Sequence, residues 1–237
     1  MALQTTENEV AEFEKYAPAY SRLLDDPIRN RFTRDPFHFH WRKWILIERF
    51  LKRRGLPPET LTWLDVGCGG GELLALAGHN FGRAMGCDPA TGMLPANPPF
   101  EVYGQPALTE LPFRDCSVDL VTAVCVMHHA LGNNRQLLMR EIRRVLRPGG
   151  LCGIVEHNPW NPVTRAIVKR CPVDVDAQLQ SSRDTKNLVR SFGFQCVHLE
   201  YFLYLPESLF HRFSAVERPF ARLPLGGQYA LFAQSPA

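Results

Sequence analysis

Leu64-Asp65-Val66-Gly67-Cys68-Gly69-Gly70-Gly71-Glu72 decides how this chain is read. It closes an apolar, strand-like run from Leu61 to Val66 and opens onto Leu73-Leu74-Ala75-Leu76-Ala77, a helical pattern. Strand, glycine turn and helix together make a nucleotide cradle. Glycines let the backbone come close to a ligand, and the first amides of the helix point at it. The spacing narrows the choice. A dinucleotide loop repeats G-x-G-x-x-G, which from Gly67 and Gly69 requires glycine at position 72, where Glu72 stands. The third glycine is Gly71, and Asp65 completes D-x-G-x-G-x-G. A glycine loop alone is weak evidence, because glycine clusters commonly mark turns.

Support comes from Arg83-Ala84-Met85-Gly86-Cys87-Asp88, a short strand ending in an acid and closed by Pro89. In a βαβ unit such a carboxylate reaches the ribose hydroxyls of a bound nucleoside. Asp88-Pro89 alone would read as a turn, but together with the glycine loop the ribose reading is favoured. Upstream of the glycine loop, residues 41–54 form an amphipathic helix, and downstream of Asp88 a short strand follows at 100–103. The unbroken apolar run 118–126 suits a strand buried on both faces of a parallel sheet. A helix at 134–146, a Pro148-Gly149-Gly150 turn, a strand at 151–155, a helix at 182–192 and strands at 195–204 and 228–233 complete the pattern. This alternation predicts a doubly wound α/β sheet with ligands at the carboxyl ends of its strands.

Composition sets the bounds. At 237 residues, 45% hydrophobic and 22% charged, the chain fits a single domain. Within it we expect an N-terminal helical cap (1–55), a cofactor-binding core (61–156) and substrate-side elements with the last strands (157–237). No apolar run approaches the roughly 20 residues of a membrane span, and the N-terminal stretch is polar, unlike a signal peptide. Seven cysteines without a C-x-x-C pair suggest reduced thiols and a cytoplasmic location. Eight histidines show no metal-ligand spacing, so no metal is expected. Between Arg22 and Arg54 lie ten Lys and Arg against four acids. That charge is either a solvated face or an attraction for an anionic substrate or membrane surface. Without an RNA-module pattern, no nucleic-acid partner is expected.

Five successive places in residues 61–156 carry a family resemblance: LDVGCGGG, GCDP, LPF (111–113) before VDLV, MHH (127–129) and RVLRPGG (144–150). In this order they resemble the class I S-adenosylmethionine-dependent methyltransferases, of the bacterial small-molecule type. The resemblance implies a Rossmann-like sheet of seven strands, the last antiparallel, with helices on both faces. It also implies S-adenosyl-L-methionine over the first three strand ends. The implied contacts are Asp65, Gly67, Cys68, Gly69 and Gly71 in the loop, Asp88 and Pro89 after the second strand, and Val126 after the fourth. Met93 would lie under the adenine, or serve as ordinary core. Many relatives carry an acid where this chain has Ala107, so backbone amides near Ala107 and Leu108 would meet the adenine amino group.

A sulfonium methyl is already an activated electrophile, so catalysis reduces to aligning a nucleophile and, where needed, removing a proton. By resemblance to plant-type O-methyltransferases, His128 takes the place of the general base; a structural His-His pair is the alternative. His157, oriented by Glu156, is the second candidate, unless Asn158-Pro159-Trp160-Asn161-Pro162 is simply a rigid turn. Substrate contacts are expected from Tyr16, Tyr20, His129, Glu156 and Asn158, with 159–181 and 205–227 building the pocket. Phe210, Phe213 and Phe220 beside Arg212, Arg218 and Arg222 suit an apolar or lipid-like substrate, or core packing with solvated arginines. The expected activity is methyl transfer to oxygen of a small-molecule acceptor, with an anionic or lipid-like one among the candidates. Carbon methylation of a quinone or lipid-like ring, and a non-methylating protein that binds the cofactor, are the alternatives.

Overall fold

A computed structural model describes residues 13–35 and 37–237, apart from the side chains of Ala215 and Val216. The first twelve residues of the expected cap lie outside the described residues. Seven strands form one sheet in the order β3-β2-β1-β4-β5-β7-β6. These are β1 (Thr62–Val66), β2 (Arg83–Asp88), β3 (Glu101–Gly104), β4 (Val118–Val124), β5 (Leu146–His157), β6 (Gln195–Phe202) and β7 (Gln228–Gln234). The first five run parallel, and β7 is antiparallel to both β5 and β6. The expected sheet is the observed one.

The helices are α1 (Tyr20–Leu23), α2 (Pro27–Phe32), α3 (Phe37–Arg54), α4 (Glu72–Ala77), α5 (Asn134–Val145), α6 (Pro162–Arg170), α7 (Ser182–Ser191) and α8 (Glu207–Phe220). Two apolar cores fill the space on either side of the sheet. On one side Ile47, Phe50 and Leu51 of α3 and Leu73, Leu74 and Ala77 of α4 pack on Trp63, Leu120 and Phe232. Phe50 stacks on Phe232 with ring centres 4.0 Å apart. On the other, Leu138, Ile142 and Val145 of α5 and Val189 of α7 meet Val121, Ile154 and Leu231. Each helix turns its three- and four-residue apolar stripe inward, which is why the sheet is buried on both faces.

Two boundaries move by four residues or more. β5 begins at Leu146 rather than 151, because Leu146 pairs with Val118 and the Pro-Gly-Gly kink is absorbed as an irregularity in that ladder. α3 begins at Phe37 rather than at residue 41. Four helices were not read from the sequence: α1, α2, α6 and α8. Asn161-Pro162 illustrates the reason. The Asn161 side chain accepts from Thr164 N at 2.9 Å and Pro162 opens α6. The residues that read as a turn are thus also an N-cap signal.

α2, α6, α8 and the start of α3 gather over the carboxyl ends of the parallel strands. Arg170 donates to Asp26 at 2.8 Å, Thr33 to Glu207 at 2.5 Å and Asn161 to the Leu225 carbonyl at 2.7 Å. Arg42, buried, pairs with Glu217.

Candidate active site

The glycine loop has the backbone that its sequence requires. Gly67, Gly69 and Gly71 all have positive φ, at 67°, 53° and 74°, a region that favours residues without a Cβ. The loop is pinned from below: Gly67 N and Cys68 N donate to the Cys87 carbonyl at 2.8 and 3.0 Å. A Cβ on Gly67 would stand 2.5 Å from Val126 Cγ2, and one on Gly71 would stand 2.6 Å from Phe100 Cζ. At Gly69 only Met93 Cε comes near, at 3.6 Å. The middle of the loop is therefore open, with Met93 at its side. These residues fit a nucleoside cradle.

Asp88, at the end of β2, accepts from Gly69 N and from Ala90 N, each at 2.9 Å. Each oxygen keeps a lone pair for a ribose hydroxyl. Burial raises its carboxyl to about 6, against the pull of those two amides. Asp65 lies elsewhere. Buried beneath the loop, it accepts from Thr122 Oγ1 at 2.5 Å, and Thr122 accepts from the Trp63 indole at 2.8 Å. Burial pushes it up to about 7. Its side chain braces β1 against β4 rather than meeting a ligand. Cys68 likewise turns its thiol inward, toward Gly86.

Sequence reasoning missed Gln105. It follows β3, its amide N donates to the Asp88 carbonyl at 3.0 Å, and its side-chain nitrogen donates to the Ala107 carbonyl at 3.3 Å. Its Oε1 is buried with no partner in the protein. An unpaired acceptor beside Ala107 and the buried Leu108 suits an amino donor such as that of adenine.

At the other end of the cradle, three histidine rings stand in a row. His128 lies 4.1 Å from His129 and 5.2 Å from His157, centre to centre. His128 is fully enclosed. Its Nδ1 is 2.5 Å from Glu156 Oε2, and its Nε2 is 3.6 Å from Asp174 Oδ1. Burial disfavours the imidazolium, but the carboxylates outweigh it and raise His128 to about 10. Asp174 is correspondingly held well below the carboxylate range, and Glu156 below its ordinary value, despite burial. His129 Nε2 is 3.4 Å from the same Asp174 oxygen. Burial, with the neighbouring His128 charge, keeps this ring below an ordinary histidine.

The catalytic reading of His128 is therefore corrected. An imidazolium between two carboxylates has no lone pair to receive a proton. Glu156 is corrected too: it accepts from Met127 N at 2.7 Å and from His128, and so does not orient His157. Asn158 is spent as well. Its amide donates to the Pro224 and Gly226 carbonyls at 3.0 and 2.8 Å and accepts from Trp160 N.

His157 has other company. Its Nδ1 is 3.4 Å from Gln228 Nε2, and the same amide nitrogen lies 3.4 Å from Cys125 Sγ. Gln228 Oε1 is buried without a partner. Burial pushes the Cys125 thiol up, yet Lys43 and His157 outweigh it and bring it to about 7. Cys125 holds φ at 58°, rare for a residue with a side chain. Tyr20 adds a hydroxyl to this end, raised by burial and by the charges of Cys125, Asp174 and Glu72. Tyr16 belongs to the segment held against the turn after Asp88, where Glu14 accepts from Thr91 Oγ1 and Gly92 N, each at 3.1 Å. His128, His129 and Asp174 also gather ligand-type atoms within 4.8 Å. Sequence spacing gives no sign of this, because Asp174 comes from beyond α6.

Residues 64–154 match the family model described as a methyltransferase domain. A methyltransferase of Encephalitozoon cuniculi is 37% identical over 114 residues, covering 46% of this chain and 50% of that protein. A tRNA (carboxymethyluridine(34)-5-O)-methyltransferase of Arabidopsis thaliana is 32% identical over 157 residues, covering 65% of this chain and 36% of that protein. The chain thus spans half or less of the length of these relatives. In fold it is similar to an S-adenosylmethionine-dependent methyltransferase from Archaeoglobus fulgidus, with a TM-score of 0.59 at 18% identity over 85% of this chain and 100% of that one. With the glycine loop, Asp88 and the seven-stranded order in place, residues 64–154 carry a methyltransferase domain, set in a sheet of the Rossmann-like methyltransferase fold.

Proposed function

We propose that the chain transfers a methyl group from S-adenosyl-L-methionine to a hydroxyl oxygen of a small-molecule acceptor, with His157 taking the proton. When bound, the cofactor supplies an activated methyl electrophile; the protein has to hold, align and deprotonate. The glycine loop and Asp88 hold the nucleoside, and Gln105 offers an acceptor at the adenine end. Tyr20, His129 and the Gln228 carbonyl oxygen face the acceptor.

The division of labour among the three histidines carries this reading. His128 is locked as a cation, and His129 shares Asp174 with it. Among the described residues, no carboxylate stands within ion-pair distance of His157. Its ring meets an amide and a thiol instead, so no carboxylate holds it in the charged form. His128 then acts as a positioning residue. Its charge ties the end of β5, through Glu156, to the segment after α6, through Asp174.

The test is a screen of small-molecule pools with labelled cofactor, followed by identification of the methylated atom. A methyl ether supports the proposal, and a carbon-bound methyl sinks it. A tRNA acceptor, as in the name of the Arabidopsis relative, would make activity fall steeply with salt, whereas a small neutral acceptor would not. With an acceptor in hand, His157→Ala should lower the rate by about 10²–10⁴ with cofactor affinity unchanged. If only His128→Ala does so, the base is misassigned.

A further inference from the structure

Among the described residues, large apolar side chains that face solvent are confined to one part of this molecule. Val175 is 74% exposed, Trp160 69% and Leu225 62%. Leu209, Phe213 and Phe220 stand out along α8, and Phe37 does so at the head of α3. Val163 and Leu223 complete the set. All belong to segments over the carboxyl ends of the parallel strands. The helices that cover the two faces of the sheet, α4, α5 and α7, contribute none.

Hydrogen bonds knit these segments together. Asn158 and Asn161 donate to the carbonyls of Pro224 and Leu225, which sets Trp160 beside the 223–225 loop. The Tyr204 hydroxyl donates to the carbonyls of Phe220 and Leu223, each at 2.5 Å, and brings the end of α8 to the same loop. Solvent-facing apolar residues gathered in this way mark an interaction surface rather than chance exposure.

Charge indicates the partner. Residues 158–171 contain no acid; Arg165 and Lys169 are exposed there and unpaired among the described residues, whereas Arg170 is held by Asp26, and the exposed acid of the following segment is Asp176. Residues 205–227 contain two acids, both turned inward: Glu207 toward Thr33 and His38, Glu217 onto Arg42. Arg212, Arg218 and Arg222 on that segment are exposed, and among the described residues no carboxylate pairs with them. Apolar tips beside uncompensated cations suit a bilayer with anionic headgroups. The tips enter the headgroup boundary, and the cations meet phosphates. Nucleic acid fits less well, since Val163, Val175, Leu223 and Leu225 offer neither a stacking face nor a hydrogen bond. Among the described residues, no helix is long and apolar enough to cross a membrane.

We propose that this cap docks the protein peripherally on an anionic phospholipid bilayer, with Trp160 and Leu225 entering the headgroup boundary. The methyl-transfer reading does not depend on it.

Vesicle flotation tests the surface, using phosphatidylcholine alone and a phosphatidylcholine–phosphatidylglycerol mixture. The chain should float with the mixed vesicles, and raising salt should weaken that binding, because exposed charges are screened. Trp160→Ser with Leu225→Ser should weaken it by at least about tenfold. Arg165→Glu with Lys169→Glu should abolish the preference for phosphatidylglycerol. Both double variants should bind S-adenosylhomocysteine like the wild type, which separates loss of docking from loss of fold or of the cofactor site. Absence of flotation with either vesicle overturns the proposal, as does flotation of both variants at wild-type strength. Bulk tRNA that strips the protein from mixed vesicles, with the same arginine dependence, would assign the surface to RNA instead.

Discussion

Glu156→Gln offers the sharpest test of how the site is wired. Glu156 is buried at the end of β5, accepting from Met127 N at 2.7 Å and from His128 Nδ1 at 2.5 Å. A glutamine of the same shape can still accept from Met127 through its carbonyl oxygen. It removes the negative charge and leaves the His128 imidazolium with Asp174 alone, at 3.6 Å. Removing one partner of a buried ion pair costs about 3–5 kcal/mol. For a chain of this size, each kcal/mol moves the melting temperature by about 2–4 °C, so the variant should melt about 6–20 °C lower. The loss should depend on pH. His128 is raised to about 10 in the folded protein, so its contribution is complete below the ordinary histidine range and fades as pH rises toward 10. Glu156 and Asp174 are lowered, so theirs is present above the ordinary carboxylate range and lost in acid. The gap between wild type and variant should thus be widest near pH 5–6 and close toward pH 10, as read by thermal melts across a buffer series. If the variant melts within 2 °C of wild type near pH 6, the imidazolium reading fails, and with it the case against His128 as a base.

Three further outcomes follow from the cradle and the base. Asp88→Ala should weaken S-adenosylhomocysteine binding by about 1.5–3 kcal/mol in calorimetry, the worth of hydrogen bonds to a charged group. Wild-type affinity should fall as pH drops through about 6, where Asp88 takes up its proton. Gln105→Leu should cost about 1–2 kcal/mol toward S-adenosylhomocysteine and close to nothing toward the inosine analogue, which lacks the amino group; equal losses would place Gln105 outside the adenine site. In rate measurements near neutral pH, His157→Ala should lower turnover while leaving the cofactor dissociation constant unchanged, and a change in the dissociation constant alone would make His157 a binding residue.

Much of this protein could be read locally. A positive φ at Gly67, Gly69 and Gly71 is something the chain can hold cheaply only with glycine, so the loop announces itself residue by residue. Strands buried on both faces read as apolar runs for the same reason, as Val118–Val124 does. Asp88 was legible because the length of one helix and one strand sets its distance from the loop. Helices such as α2 and α6 were hidden because Asp26, Asn161 and their following prolines write an N-cap in the same letters as a turn.

The protonation states and the spare hydrogen bonds were decided by the tertiary structure. In the sequence His128 is the first candidate base and His157 the second. They differ because Asp174, from beyond α6, comes within ion-pair distance of His128 and, among the described residues, not of His157. Asn158 and Gln228 look alike as polar residues at strand ends. Loop carbonyls from 224 and 226 use up the amide of the first, while the second keeps an unpaired oxygen. Backbone conformation and hydrophobic period are properties of neighbours in sequence, and a single chain displays them. A charge or a free lone pair depends on which distant groups arrive within about 4 Å. The sequence by itself therefore determined the methyltransferase domain and the nucleoside cradle, and only the folded chain decided which carboxylates stand beside which histidine.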